Sequence, residues 1–211
     1  MDQPFLSAVI IAYNEAQNIE RCLLSLQAVA DEIVVVDSGS TDDTVMKSES
    51  MGARVLSHPF EGHIQQKNWA ANQAKGQWII SLDADESLGE ELKASLREWK
   101  KSAHDSRAYR FNRLTSYCGH WVRHGGWYPD QKLRLWKNGA AQWTGENPHD
   151  RLELLAGENA GKSIGHLEGD LLHHSYHTVE DHIRQIAYFS DIAAVHYEGP
   201  LWRTNPWIRP L

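Results

Sequence analysis

Short apolar runs alternate with a helical pattern through about the first 85 residues. The runs are of strand length and cover residues 6–12, 32–37, 54–57 and 78–82. Between the first two, Ile19, Cys22, Leu23 and Leu26 recur on one helical face, and Asn14 is placed to cap that helix. Strands that are apolar on both faces are typical of a parallel sheet covered by helices. The order βαβαβαβ therefore predicts an α/β fold with a doubly wound, mostly parallel sheet and helices on both sides.

The second half of the chain has shorter strand candidates and a loop rich in glycine and aromatic residues. The strand candidates cover residues 108–114, 132–136, 141–143, 152–155 and 171–174, and the loop covers residues 120–130. Thr178 and Asp181 have the spacing that opens a last helix, which should run to about His196. We expect a single domain over residues 1–211, with a ligand-binding half (about 1–103) and a short-stranded second half (about 104–211) that ends in this helix.

Carboxylates follow three of the predicted strands. Glu15 comes after the first strand, Asp37 ends the second, and Asp83 and Asp85 follow the fourth. Strand alternation would place Asp83 and Asp85 on one face, with Ala84 pointing away. In open α/β sheets ligands bind beyond the carboxyl ends of the strands, where these acids lie. An acidic turn that caps the next helix explains the close pair equally well.

These carboxylates favour a nucleotide-sugar site over a redox-cofactor site. Single carboxylates accept hydrogen bonds from a base edge or from ribose hydroxyls. A close pair repels itself unless a cation neutralises it, and it suits a hard divalent ion that also holds a diphosphate. Neither a G-x-G-x-x-G fingerprint nor a G-K-[ST] loop follows the first strand, so a dinucleotide fold or P-loop is not indicated.

Composition excludes further classes of protein. A net charge of −7 argues against binding nucleic acid through its phosphates. Cys22 and Cys118 are too few for a disulfide framework, and the first residues lack the basic and long apolar regions of a signal peptide, so a cytoplasmic protein is expected. Most of the nine Trp and twelve His residues lie after Trp69, which indicates a ligand surface in the later part of the chain.

Three sequence blocks, at residues 10–15, 33–42 and 82–86, together resemble glycosyltransferase family 2, which has the GT-A fold. Their order and separation match that family as well. Later stretches at residues 126–130, 133–135, 149–150 and 174–176 are similar to the branch that builds the lipopolysaccharide inner core, of the β-1,4-glucosyltransferase type. The resemblance implies that a hexose is transferred with inversion from a UDP-sugar to a glycan or glycolipid acceptor. The Gln-x-x-Arg-Trp signature of processive relatives is absent, which favours transfer of one sugar.

The resemblance assigns donor and metal roles to individual residues. Asp37 would accept from the base, Asp83 would lie against the ribose and donor sugar, and Lys67 would lie near the donor. The set implied for the donor is Ala12, Tyr13, Glu15, Asp37, Lys67, Asp83 and Ala84. Asp85, with Asp83 and a late ligand at His174, would bind Mg²⁺ or Mn²⁺. Three alternatives remain open. Asp37 could cap its turn, Lys67 could be a solvated charge on its helix, and His173 could face the site in place of His174.

On the acceptor side the resemblance implies a carboxylate base. Asp150 stands at this position, although relatives read Val-His-Glu where this chain has Pro-His-Asp. Because Asp is one methylene shorter, Glu146 stays an alternative base. Trp127 and Tyr128 would stack on a sugar, with Asp130 fixing their loop. The aromatic and arginine-rich tail at residues 202–210 predicts peripheral contact with a membrane surface, with a disordered chain end as the alternative.

Two other classes share part of this pattern. A nucleotidyltransferase that makes an activated sugar would have the same sheet and acidic pair, but it should carry a glycine-rich basic loop after the first strand. A non-catalytic carbohydrate-binding protein would explain the tryptophans without the carboxylates at strand ends. Metal-linked binding of UDP separates a transferase from such a binding protein.

Overall fold

The computed structural model describes residues 3–146, 149–155 and 164–196, without the side chains of residues 146, 149, 188, 189 and 191–196. Met1–His177 and Thr178–Leu211 form two compact units. The predicted tail at residues 202–210 lies outside the described residues, and the single-domain organisation stays a prediction. No helix in the described ranges combines the length and the apolar character needed to cross a membrane.

Strands and helices alternate through the first half of the chain, as the apolar runs predict. The elements are β1 Leu6–Ala12, α1 Ile19–Gln27, β2 Glu32–Asp37, α2 Thr44–Ser50, β3 Arg54–Ser57, α3 His63–Gln73, β4 Trp78–Asp83, β5 Glu86–Leu88 and α4 Glu90–Trp99. β1 pairs in parallel with β2 and with β4, and β2 pairs in parallel with β3. The carboxyl ends of these strands therefore meet at one edge of the sheet.

The second half adds antiparallel strands to the same sheet. Its elements are β6 Ala108–Tyr117, β7 His120–Trp121, β8 Asp130–Lys137, β9 Ala141–Glu146, β10 His149–Leu154 and β11 Ile164–Tyr176. Within the described residues the main sheet has the order β3-β2-β1-β4-β8-β6-β11-β5, with β7 beside β6, while β9 and β10 pair separately. β8 is antiparallel to both of its neighbours. The predicted α/β fold class is confirmed, and β6, β8 and β11 are longer than their apolar cores suggest.

Both faces of the sheet are buried under helices. Leu6, Ala8 and Ile10 of β1 pack into one core cluster with α1 and α4. Val9 of the same strand faces the other way, into a second cluster that contains Ala70 of α3. Alternate residues of one apolar strand thus serve two cores, which is why the strand shows no alternation of polarity.

Gly169 lets β11 pass close to the start of α4. Its φ is +96°, and a Cβ at this position would lie 2.3 Å from the backbone nitrogen of Leu92. The register between β11 and β6 shifts between His166 and Asp170, around this glycine. A residue with a side chain would be strained at this φ and would clash, so glycine fixes the path of β11 towards the site described below.

The last helix, α5 Val179–His196, belongs to the second compact unit. Its predicted start is confirmed. The backbone nitrogen of Asp181 donates to the Thr178 hydroxyl, and the nitrogen of Thr178 donates to the Asp181 carboxylate. This reciprocal pair satisfies two donors at the helix N-terminus.

Candidate active site

The loops after β1 and β2 are tied together through Asn14. This residue does not cap α1, which begins at Ile19; it adopts a left-handed conformation with φ +55°. Its backbone nitrogen donates to the Ser40 hydroxyl, and its side-chain oxygen accepts from the Thr41 nitrogen. Asn tolerates this backbone conformation better than most residues, so it shapes the edge of the sheet instead of starting a helix.

Asp37 both caps its turn and keeps one oxygen unused. Its Oδ2 accepts hydrogen bonds from the backbone nitrogens of Gly39 (2.9 Å) and Ser40 (3.0 Å). Its Oδ1 is buried and has no hydrogen-bond partner among the residues that the structure describes. Buried polar atoms are normally paired, so this oxygen is free for a donor group of a ligand.

Three further predicted donor residues lie at the same end of β1. Ala12 is buried, whereas Tyr13 is 59% exposed. Burial raises the pKa of Glu15, and the charges of Asp85 and Asp83 raise it further. A hydrogen bond from Asn18 lowers it by less than these effects raise it. Glu15 therefore lies within electrostatic reach of Asp83, which ends β4, and of Asp85, which follows it.

Lys67 joins the predicted donor side to the predicted acceptor side. Its ammonium nitrogen lies 3.0 Å from Asp83 Oδ1 and 2.8 Å from Asp150 Oδ2. The same nitrogen lies 4.5 Å from the centre of the Trp143 ring. Only 6% of the Lys67 side chain is exposed, so this residue of α3 is not a solvated surface charge.

Arg134 and Glu86 also contact Asp83. The Arg134 guanidinium lies 3.1 Å from both Asp83 Oδ2 and Glu86 Oε1. The Glu86 carboxylate also accepts the backbone N–H of Asp83 at 2.9 Å. Burial would raise the pKa of Asp83, but Lys67 and Arg134 hold it well below its usual range. Asp83 is thus a fixed anion with two cationic partners.

Burial raises the pKa of Glu86 above its usual range, and the nearby Arg134 charge opposes that rise. Glu86 is fully buried, and Arg134 is 4% exposed. Sequence reasoning gave neither residue a role. The available signal was a charged residue in the apolar run of residues 133–136, because an arginine in a buried strand needs a buried anion.

Replacing Arg134 with methionine should lower the free energy of unfolding by about 3–5 kcal/mol, because Glu86 and Asp83 lose a buried counter-charge. The loss should shrink as the pH falls below neutral. Without the Arg134 charge the pKa of the buried Glu86 rises further above its usual range, and a protonated Glu86 no longer needs a counter-charge. Urea unfolding at two pH values measures this. Arg97→Met, at an exposed position on α4, should cost little at either pH. A loss that does not depend on pH would contradict this assignment.

Asp85 lies in a turn rather than on a strand. β4 ends at Asp83, so strand alternation does not extend to Asp85 and that argument for a shared face is wrong. The Asp85 carboxylate lies 3.1 Å from Nε2 of His173, and its backbone oxygen accepts from the nitrogen of His174. Burial would lower the pKa of His173, but Asp85 raises it overall.

His174, the predicted late metal ligand, has other neighbours. Its Nε2 lies 3.3 Å from the Ser87 hydroxyl, and its ring meets Trp121 edge-on at 5.2 Å. Burial, together with the charge of Arg21, lowers its pKa to about 4. In this structure His173, and not His174, is the histidine beside the Asp85 carboxylate.

The residues around Asp85 fit a hard divalent cation only in part. Asp85 is 26% exposed at its side chain and has His173 beside it, which offers one carboxylate and one imidazole. Asp83 instead faces Lys67 and Arg134. No group of three or more potential metal ligands occurs among the described residues. Mg²⁺ commonly uses one or two carboxylates and takes its other ligands from water and substrate phosphates, so this donor set is compatible with a metal bound together with a diphosphate.

Asp83, Lys67 and Asp150 face a cavity of about 320 Å³. β6, β8, β9 and β10 supply the other walls. The remaining lining residues are Arg113, Gln131, Lys132, Leu133, Arg134, Trp143, Arg151 and Leu152. A second cleft of about 390 Å³ lies around Glu32 and Arg54, at the amino ends of β2 and β3, away from the strand ends that carry the predicted donor residues.

Asp150 lies on β10, opposite Gly145 of β9. The structure brings Asp150 to the cavity, 2.8 Å from Lys67. The side chain of Glu146, the alternative base, lies outside the described part of the chain.

The aromatic loop is held by its own polar groups. The Tyr128 hydroxyl donates to Asp170 at 2.9 Å, and Asp130 forms ion pairs with Arg113 (2.8 Å) and Lys132 (2.9 Å). Trp127 is 39% exposed. Asp130 therefore anchors the loop, the Tyr128 hydroxyl is already engaged, and Trp127 offers the more accessible ring.

Comparison with known proteins supplies independent information. The family model described as "Glycosyl transferase family 2" matches residues 7–151. An uncharacterized glycosyltransferase of Rickettsia bellii is 49% identical over 41% of this chain and 30% of its own length. The lipopolysaccharide core biosynthesis glycosyltransferase LpsC of Rhizobium meliloti is 32% identical over 65% of this chain and 53% of its own length. The chain thus spans about a third to a half of these two relatives.

A solved structure of S. aureus TarS (residues 1–349, in complex with UDP) superposes with a TM-score of 0.47 at 22% identity, over 64% of this chain and 47% of that one.

Proposed function

The chain belongs to glycosyltransferase family 2, and from this premise we propose that it transfers one hexose from a UDP-sugar to a glycan with inversion at the anomeric carbon. The observation that carries the proposal is the bridge through Lys67. It connects Asp83, at the end of β4, with Asp150, on β10, across one cavity. In a transferase the donor sugar and the acceptor hydroxyl must meet between the residues that bind the donor and the general base. This cavity lies between Asp83, on the proposed donor side, and Asp150, the proposed base.

On the donor side, Asp37 would accept the N–H of the base through its unused Oδ1, beside Tyr13 and Glu15. Asp83 would accept from ribose or donor-sugar hydroxyls, since Lys67 and Arg134 keep it ionised. Asp85 and His173 would hold a divalent metal, with Mg²⁺ and Mn²⁺ as the candidates. Such a metal would neutralise the charge that develops on the leaving diphosphate.

On the acceptor side, Asp150 would act as the general base. It would take the proton of the attacking hydroxyl while that oxygen bonds to the anomeric carbon and the bond to the diphosphate breaks. Attack from the face opposite the leaving group inverts the configuration. Trp127 would stack on a sugar ring of the acceptor or donor.

The acceptor class follows from one relative. LpsC is named for lipopolysaccharide core biosynthesis, and we extend that name to a lipopolysaccharide or lipooligosaccharide core acceptor for this chain. Such an acceptor is membrane-bound, which is compatible with a cytoplasmic protein that touches the membrane peripherally through residues 202–210.

A donor screen tests the proposal. UDP-hexoses and other nucleotide sugars would be incubated with the protein, and release of the free nucleotide would be measured with and without Mn²⁺. We expect metal-dependent hydrolysis of at least one UDP-hexose, with water acting as a slow acceptor. Hydrolysis of none of the donors, in protein that is folded by circular dichroism, would contradict the proposal.

Replacing Asp37 with alanine should weaken UDP binding by roughly 1.5–3 kcal/mol, the usual value of a hydrogen bond to a charged group. Calorimetric titration with UDP and Mn²⁺ measures this. Because Asp37 also caps its turn, Asp42→Ala serves as a matched control: Asp42 accepts backbone hydrogen bonds from Ala16 and Thr44 in the same loops. If both variants lose the same affinity, the effect is one of loop structure and Asp37 does not contact the base.

A further inference from the structure

The cavity beside Asp150 concentrates positive charge in a protein whose net charge is −7. Five basic side chains line it, against the two carboxylates of Asp83 and Asp150. The basic residues are Lys67, Arg113, Lys132, Arg134 and Arg151. We propose that the acceptor carries a negatively charged substituent, a phosphate or a carboxylate, which these side chains bind next to its reactive hydroxyl. This inference rests on the proposed function and names the acceptor class.

The carboxylates that pair with three of these cations do not line the cavity. Arg113 and Lys132 both pair with Asp130, at 2.8 and 2.9 Å, and Arg113 also lies 3.9 Å from the carboxylate of Glu86, which is not a lining residue either. Arg151 pairs with Glu153. Neither Asp130 nor Glu153 is among the lining residues. The three cations therefore line the cavity, whereas the carboxylates that pair with them do not.

Arg134 adds an unsatisfied donor to this wall. It is 4% exposed, and its Nη1 has no hydrogen-bond partner among the described residues, although its Nη2 contacts Asp83 and Glu86. A buried guanidinium nitrogen without a partner is costly, and an anionic oxygen would satisfy it with a strong, charge-assisted bond. A neutral hydroxyl would satisfy it less well.

The diphosphate of the donor is a second possible source of an anion, but its proposed contacts lie elsewhere. Asp85 and His173, beside which the diphosphate would be held, do not line the cavity, and neither do Tyr13 or Asp37. Lys132 and Arg151 belong to β8 and β10, on the side of Asp150. The donor sugar would meet the cavity at Asp83, and we therefore assign the substituent bound by Lys132 and Arg151 to the acceptor.

Binding of small probes tests this inference without the natural acceptor. Protein saturated with UDP and Mg²⁺ would be titrated with glucose, glucuronate, glucose 6-phosphate and inorganic phosphate. At least one charged probe should bind about tenfold or more tightly than glucose, as expected for a hydrogen bond to a charged group. Lys132→Gln and Arg151→Gln should each remove much of this preference. Lys101→Gln changes an exposed lysine just after α4 that pairs with Glu98, outside the cavity lining, and it should leave the preference intact.

Each outcome separates one source of the anion from another. If no charged probe binds more tightly than glucose, the inference is wrong. If the two variants weaken UDP itself, the cavity binds the donor diphosphate, and the inference is equally wrong. The inference also fails if Lys132→Gln or Arg151→Gln changes the ratio of UDP-glucuronate hydrolysis to UDP-glucose hydrolysis, since the negative charge bound in the cavity would then belong to the donor sugar. Failure of the wild-type protein to bind UDP would instead overturn the proposed function.

Discussion

Replacing Asp150 with asparagine should reduce sugar transfer about 10²–10⁴-fold, the usual contribution of a general base. Asparagine keeps the size of the side chain but cannot take a proton from the acceptor hydroxyl. Lys67 would retain its contact with Asp83, 3.0 Å away, so the cavity should keep its shape. UDP affinity should be nearly unchanged, because the residues proposed to contact the uracil and the diphosphate are Asp37 and Asp85.

Steady-state transfer, measured beside UDP titration, decides between the two candidate bases. Glu146→Gln is the matched variant, and it should keep most of the activity. If the Asp150 variant turns over normally and the Glu146 variant is inactive, the base is Glu146 and the assignment of Asp150 is wrong. If the Asp150 variant loses UDP affinity as well, its role is to position Lys67.

Replacing Asp85 with asparagine should reduce turnover about 100-fold or more. A metal that acts as a Lewis acid stabilises the transition state by several kcal/mol, and about 1.4 kcal/mol corresponds to a factor of ten. The fold should survive, because the Asp85 side chain is 26% exposed and its backbone contact with His174 remains. The melting temperature of the variant should change little, because the asparagine oxygen can keep the contact with Nε2 of His173, 3.1 Å away in the wild-type protein.

Asp43→Asn is a suitable control for this change, because Asp43 is exposed and its side chain makes no capping hydrogen bond. It should keep normal turnover. Chelation of the wild-type enzyme with excess EDTA should reproduce the loss seen for Asp85→Asn. Full activity of the wild-type enzyme in EDTA would show that the reaction does not need a metal, and the role given to Asp85 would be wrong.

The fold of the first half could be predicted because its signals are local. Each buried strand is a continuous apolar run, and the residues between the runs show helical spacing. β5 could not be predicted, because its formation depends on a distant partner. Leu88 pairs with Leu171, more than 80 residues away, and a strand of three residues has no local pattern that indicates this pairing. The extent of β11 likewise depends on Gly169 and on its packing against α4.

In the candidate site, too, features with a local signal could be predicted and features that depend on distant partners could not. The acids at strand ends could be found from the sequence, because strand ends are visible in the pattern. The choice between His173 and His174 could not, since it depends on which side of β11 faces Asp85. Arg134 was overlooked because its partners, Asp83 and Glu86, are about 50 residues away. Its position inside an apolar run was the one clue.

Calorimetric titration of the wild-type protein with UDP, in the presence of Mn²⁺ and then of EDTA, tests the central claim most directly. That claim is that the carboxyl ends of β1, β2 and β4 form a metal-linked site for a nucleotide-diphosphate sugar. The account predicts saturable binding of UDP that weakens at least about tenfold when the metal is removed, a difference of about 1.4 kcal/mol in binding free energy. Absence of UDP binding, or binding of equal strength in EDTA, would contradict it.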